Sequence, residues 1–129
     1  MAVPAEFDPP ALDVRLRAGA GDLVLDAVGE LDQDTGPLLN AAVNSALDTT
    51  SGLRELVVDM SRVAFCDSSG LNALIRAYQK AREAGMELRL LSPTAPVAAL
   101  LRRTGVDRVL RVSTDPAATA SAQGDYRIV

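Results

Sequence analysis

The sequence predicts an α/β fold: a mixed β-sheet of four to five strands, with helices packed mainly on one face. Three observations predict it. Leu12-Asp13-Val14-Arg15-Leu16-Arg17 alternates apolar and polar residues, the pattern of a strand with one wet face. A turn at 18–22 and a second extended run follow, so the chain opens on an antiparallel hairpin. From there strand-like and helix-like segments alternate, as they do when parallel strands are joined by helical crossovers.

The elements follow in order. Residues 1–11 carry three prolines and no periodicity and read as a flexible N-terminal arm. In the first strand Leu12, Val14 and Leu16 point inward, and Asp13, Arg15 and Arg17 point to water. Leu23 to Val28 is the second strand, and Gly29-Glu30-Leu31-Asp32 leaves it. Thr35-Gly36-Pro37 opens a helix, because a threonine caps well and proline suits the first turn. Leu39, Ala42, Val43, Ala46 and Leu47 then recur at helical spacing, and 49–52 ends the run. Glu55 to Met60, built on Leu56-Val57-Val58, reads as a central strand, covered more fully than the first.

Ser61 to Cys66 leads to the junction Asp67-Ser68-Ser69-Gly70. Beyond it, apolar residues at 71, 74, 75, 78 and 81 mark a second helix, stopped by Gly85. Glu87 to Leu91 is the next strand. Ser92 to Pro96 opens a third helix with Val97, Leu100 and Leu101 inward and Arg102 and Arg103 at its negative end. Val106 to Val112 reads as a short last strand. The tail, 113–129, is weakly patterned, and Asp115-Pro116 could start a final short helix. One domain, 12–112, is expected between arm and tail.

Composition narrows the chemistry. The formal net charge of −4 argues against a nucleic-acid backbone or an anionic lipid surface as partner. Cys66 is the single cysteine, so no internal disulfide forms and a reducing cytoplasm is expected. No run approaches the ~20 apolar residues of a membrane span, and the first residues lack the pattern of a signal peptide. The chain has no histidine. Ser-His-Asp and Cys-His nucleophile systems and the common catalytic zinc sites are thereby removed.

The junction keeps two readings. Asp and Ser are preferred helix N-caps, so D-S-S-G can be a cap and nothing more. A nucleophile elbow needs G-x-S-x-G and a histidine, and a phosphate-binding loop needs G-x-x-x-x-G-K-[ST]; neither is present. Cys66 adjoins Asp67, whose charge disfavours a thiolate, and reads as an inert small side chain. The other chemistry is phosphorylation by a partner. A phosphoserine at a helix N-terminus meets favourable partial charge and adds roughly −1.5 to −2 to an acidic surface.

V-A-F-C-D-S-S-G-L at 63–71, G-E-L-D at 29–32 before T-G-P, and S-P-T-A-P-V-A-A-L-L-R-R-T-G-V-D-R-V-L at 92–110 resemble the motifs of the STAS domain. This is the family of bacterial anti-sigma factor antagonists and of their relatives in sulphate transporter tails. The resemblance covers about 12–112. It implies partner-switching control of a sigma factor in a stress response. The unphosphorylated domain binds an anti-sigma factor with serine kinase activity, phosphorylation at Ser68 ends that binding, and a serine phosphatase resets it. ATP and magnesium belong to the kinase; the domain itself is no enzyme and takes no cofactor or metal. By position Asp32 lies on a partner-contact loop, and Asp67, Ser69, Gly70 and Leu71 surround Ser68. Three of them have a plainer alternative: Asp32 as a loop acid, Ser69 as the helix cap, Leu71 as core. A monomer or weak homodimer is expected. Two other roles use the same fold: a regulatory subunit of a membrane lipid or anion transporter, and a component of a stress-signalling scaffold.

Overall fold

The computed structural model describes residues 12–18, 22–49 and 55–114. Five strands form one sheet in the order of the sequence. β1 (Leu12–Ala18) runs antiparallel to β2 (Asp22–Leu31). β3 (Glu55–Cys66), β4 (Glu87–Leu91) and β5 (Arg111–Ser113) follow, each parallel to its predecessor. The crossovers carry α1 (Gly36–Thr49), α2 (Ser68–Glu83) and α3 (Ala95–Thr104). Adjacent parallel strands joined by right-handed crossovers, all stepping the same way, place every connecting helix on one side. The core reflects this. Leu39, Val43, Leu74, Ala77, Val97 and Leu101, from all three helices, share one buried cluster with Leu25, Val58 and Leu90 of the sheet.

The other face is not the simple wet face that the alternation in β1 suggests. Val24 and Val57 are fully buried there and cluster with Leu91. Arg17, expected to point to water, is half-buried and ion-paired with Asp26, its Nη2 donating to Oδ1 at 2.6 Å. Arg89 is buried and grips Glu55 through two bonds of 3.0 Å each. A charge taken from water is tolerated only with such paired, bidentate geometry. Leu16, expected inward, is 41% exposed on β1, the first strand in the sheet order among the described residues.

Three elements differ in extent from the sequence reading. β3 continues from Met60 to Cys66, and β2 continues beside it to Leu31. The pairing slips between Asp26 and Val28 and again between Gly29 and Glu30, each time taking up one extra residue of β3. These bulges break the two-residue period over 61–66, which is why the stretch does not read as strand. The predicted strand over 106–112 begins instead as a 3₁₀ turn, Val106–Arg108. Val106 and Leu110, four apart, are both buried, the spacing of a helical turn. The predicted arm, 1–11, and the tail from 115, with its possible short helix, lie outside the described residues. No helix among the described residues is long and apolar enough to cross a membrane.

Candidate functional site

Two turns meet at the C-terminal end of the parallel strands, where an open α/β sheet typically carries its site. The first joins β2 to α1. Asp32 Oδ1 accepts from the backbone N–H of Asp34 at 2.9 Å and of Thr35 at 3.1 Å. Thr35 is buried, and its hydroxyl accepts from Asp32 N at 2.9 Å. The same hydroxyl lies 2.9 Å from Glu30 O and 3.2 Å from Asp32 Oδ1, and its one proton serves either. Gly36 N closes the turn on Asp32 O at 2.8 Å. Asp32 and Thr35 thus satisfy the backbone groups that a strand-to-helix turn leaves open.

The second turn joins β3 to α2. Asp67 is extended and caps α2, its Oδ1 accepting from Gly70 N at 2.9 Å. The cap is therefore Asp67, which corrects the expectation that Ser69 fills that role. Ser68 is the first helical residue and is exposed; Ser69 is half-buried. One residue of rotation separates the two hydroxyls by about 100° around the helix. Ser69 lines a cavity of about 300 Å³ between the turns, faced by Asp32, Gln33, Asn72 and Arg76.

Leu31 ties the two turns together. Its carbonyl accepts from Asp67 N at 3.3 Å. A Cβ on Gly70 would lie 2.2 Å from that oxygen and 3.0 Å from Cys66 Sγ. Only glycine lets α2 approach the end of β2 so closely, which accounts for a residue that otherwise weakens a first turn. Small residues continue the contact along α2: Asn40 of α1 donates to Ala73 O at 3.0 Å, and a Cβ on Gly36 would lie 3.1 Å from Ala73 Cβ.

Burial first, and Asp67 second, push the Cys66 thiol up to about 11, so it stays protonated and weakly nucleophilic at neutral pH. No group of three His, Cys, Asp or Glu among the described residues is placed to hold a metal ion. The free N–H groups of the first turn of α2 favour an added anion at Ser68, while Asp67 opposes it.

Of the residues that the resemblance singles out, Asp32 and Ser69 line one cavity, and Asp67, Ser68 and Gly70 form the turn beside it. Leu71 is not at the surface: it is buried in the core cluster, which corrects its expected place on a contact surface. Gly70 is buried as well and acts through the fit between the turns. Sequence reasoning passed over Arg76 and Gln33 of the cavity and the exposed Phe65 at the end of β3. The position of Arg76, seven residues after Ser69 on one helical face, is the signal that was available for it.

A family model described as "Mlab, STAS domain" matches residues 14–112. The chain belongs to the STAS domain family. Among its relatives, the anti-sigma F factor antagonist of Paenibacillus polymyxa is 24% identical to this STAS domain over 101 residues, 78% of this chain and 86% of that protein. The crystal structure of an anti-sigma factor antagonist from Mycobacterium paratuberculosis superposes with a TM-score of 0.75 at 22% identity, covering 88% of this chain and 94% of that one. The anti-sigma factor antagonist SpoIIAA in its unphosphorylated form superposes with a TM-score of 0.66 at 20% identity, covering 82% and 92%. At these identities the likeness is one of fold, and the STAS architecture is the one built above from the sheet order and crossovers.

Proposed function

We propose that this STAS domain is an anti-sigma factor antagonist switched by phosphorylation at Ser68. Unphosphorylated, it binds an anti-sigma factor that is also a serine kinase, and the sigma factor is released. The kinase, with its own ATP and magnesium, writes the phosphate; a serine phosphatase removes it. The observation that carries the reading is the separation of the two serines. Ser68 stands exposed at the positive end of α2, while Ser69 turns into the cavity beside Arg76.

The switch works by charge at the contact and leaves the core alone. A phosphate at Ser68 adds roughly −1.5 to −2 beside Asp67 and within a loop of Asp32, on a surface already acidic. A hundred-fold loss of affinity needs only about 2.7 kcal/mol, within reach of one desolvated like-charge contact.

The test is incubation with ATP and each serine-kinase anti-sigma factor of the host, followed by peptide mass spectrometry. Phosphate on Ser68 is expected, and none on Ser69. Ser68→Ala should keep binding and lose its control; Ser68→Asp should weaken binding about ten-fold or more. Phosphate elsewhere, or full binding by Ser68→Asp, would overturn the switch. Retention on a membrane permease in place of a kinase would favour the transporter-subunit role.

A further inference from the structure

We propose that Phe65 is the apolar anchor of the surface that receives the kinase, and that the partner offers an apolar pocket rimmed by cations. The proposal rests on the reading of Ser68 given above. Phe65 is 47% exposed on the last residues of β3, three residues before Ser68. Cα atoms three residues apart lie within about 11 Å. A specific interface covers about 800 Å² on each partner, a patch roughly 30 Å across. A protein that seats Ser68 in its catalytic cleft therefore reaches the rim that bears Phe65.

The backbone explains why this ring is outside. Val63 is buried on the helix side, and Cys66 packs against the same core. The second slip in pairing falls between them and sets Phe65 opposite Glu30. Paired residues share a face, and so do residues two apart in β2. Phe65 thus shares the helix-free face with Val28, which is 37% exposed and stands opposite Arg62. Without the extra residue the side chain would not be carried to that side.

An exposed phenylalanine forfeits the stabilisation that burial would bring. Large aromatic side chains are also the residues that most often dominate binding, because they bury much apolar area with few torsions to order. The surrounding rim fixes the partner's chemistry. Exposed Glu30 faces Phe65, and Asp32, Asp34 and Asp67 follow within the two turns, against Arg62 and Arg76. A complementary surface is cationic around the pocket, and its affinity falls with added salt.

The experiment measures binding of the full chain to the serine-kinase anti-sigma factor that phosphorylates Ser68. Phe65→Ala should weaken binding roughly ten-fold or more, and Phe65→Tyr should retain most of it. Val109→Ala is the control: Val109 is 56% exposed but lies before β5, at the opposite end of the parallel strands from Ser68. The chain has no tryptophan. Phe65→Trp therefore supplies a single reporter, whose emission, corrected for the kinase alone, should move to shorter wavelength on binding. This holds the proposal to account even where Phe65→Ala fails to fold. Wild-type affinity in Phe65→Ala, or an unmoved Trp emission in a saturated complex, overturns the anchor while leaving the Ser68 switch standing. Failure of every such kinase to bind the wild-type protein overturns the switch and the anchor together.

Discussion

The turn after β2 and the turn after β3 leave the same end of one sheet, each with an aspartate near its start, and they use that aspartate differently. Asp32 folds its carboxylate onto its own turn, where it takes two backbone N–H groups and meets the buried Thr35 hydroxyl. Asp67 makes a single side-chain bond, to Gly70 N, and leaves Ser68 facing solvent. A closed polar network is rigid, because each member lost leaves another unsatisfied. A one-bond cap holds the helix start while leaving the first residue accessible. The closed turn is thus the template, and the open turn presents the hydroxyl. They meet at Leu31, whose carbonyl both receives Asp67 N and sets the limit on Gly70.

The contrast can be broken at three points. The largest effect is expected at the meeting point. Gly70→Ala puts a Cβ 2.2 Å from a backbone oxygen, a clash that no side-chain rotation relieves. It should cost about 3 kcal/mol or more, read as a fall in the chemical-denaturation midpoint. Next is the closed turn: Thr35→Val keeps the shape but takes the acceptor from Asp32 N and the donor shared by Glu30 O and Asp32 Oδ1, and should cost about 1–3 kcal/mol. Smallest is the open turn. Asp67→Ala removes one cap and should cost about 1 kcal/mol, whereas Asp67→Asn should recover most of it. An Asp67→Ala variant less stable than Thr35→Val would reverse the assignment of template and presenter.

Much of this was legible from residue order. The alternation in 12–17, the helical stripes at 39–47 and 71–81 and Gly85 after α2 read correctly, because each reports a local period or a local φ. D-S-S-G was legible as a helix start. What was missed shares one cause. The slips of register in 61–66 depend on how β3 lies against β2, and they decide that Phe65 faces out. Arg17 reads as a strand cation pointing to water, and only its cross-strand neighbour Asp26 makes it a half-buried ion pair, as Glu55 makes the buried pair of Arg89.

The sequence by itself determined the succession of strands and helices, the placing of an aspartate and two serines at a helix start, and the absence of histidine chemistry. These are properties of neighbours along the chain, set by side-chain periodicity and by the few residues that suit a cap. Tertiary structure decided which serine faces solvent and why residue 70 is glycine. The side that Ser69 faces and the need for glycine at 70 turn on the distance to a segment more than thirty residues away, the end of β2 and the start of α1. Close packing sets such distances, and no local pattern encodes them.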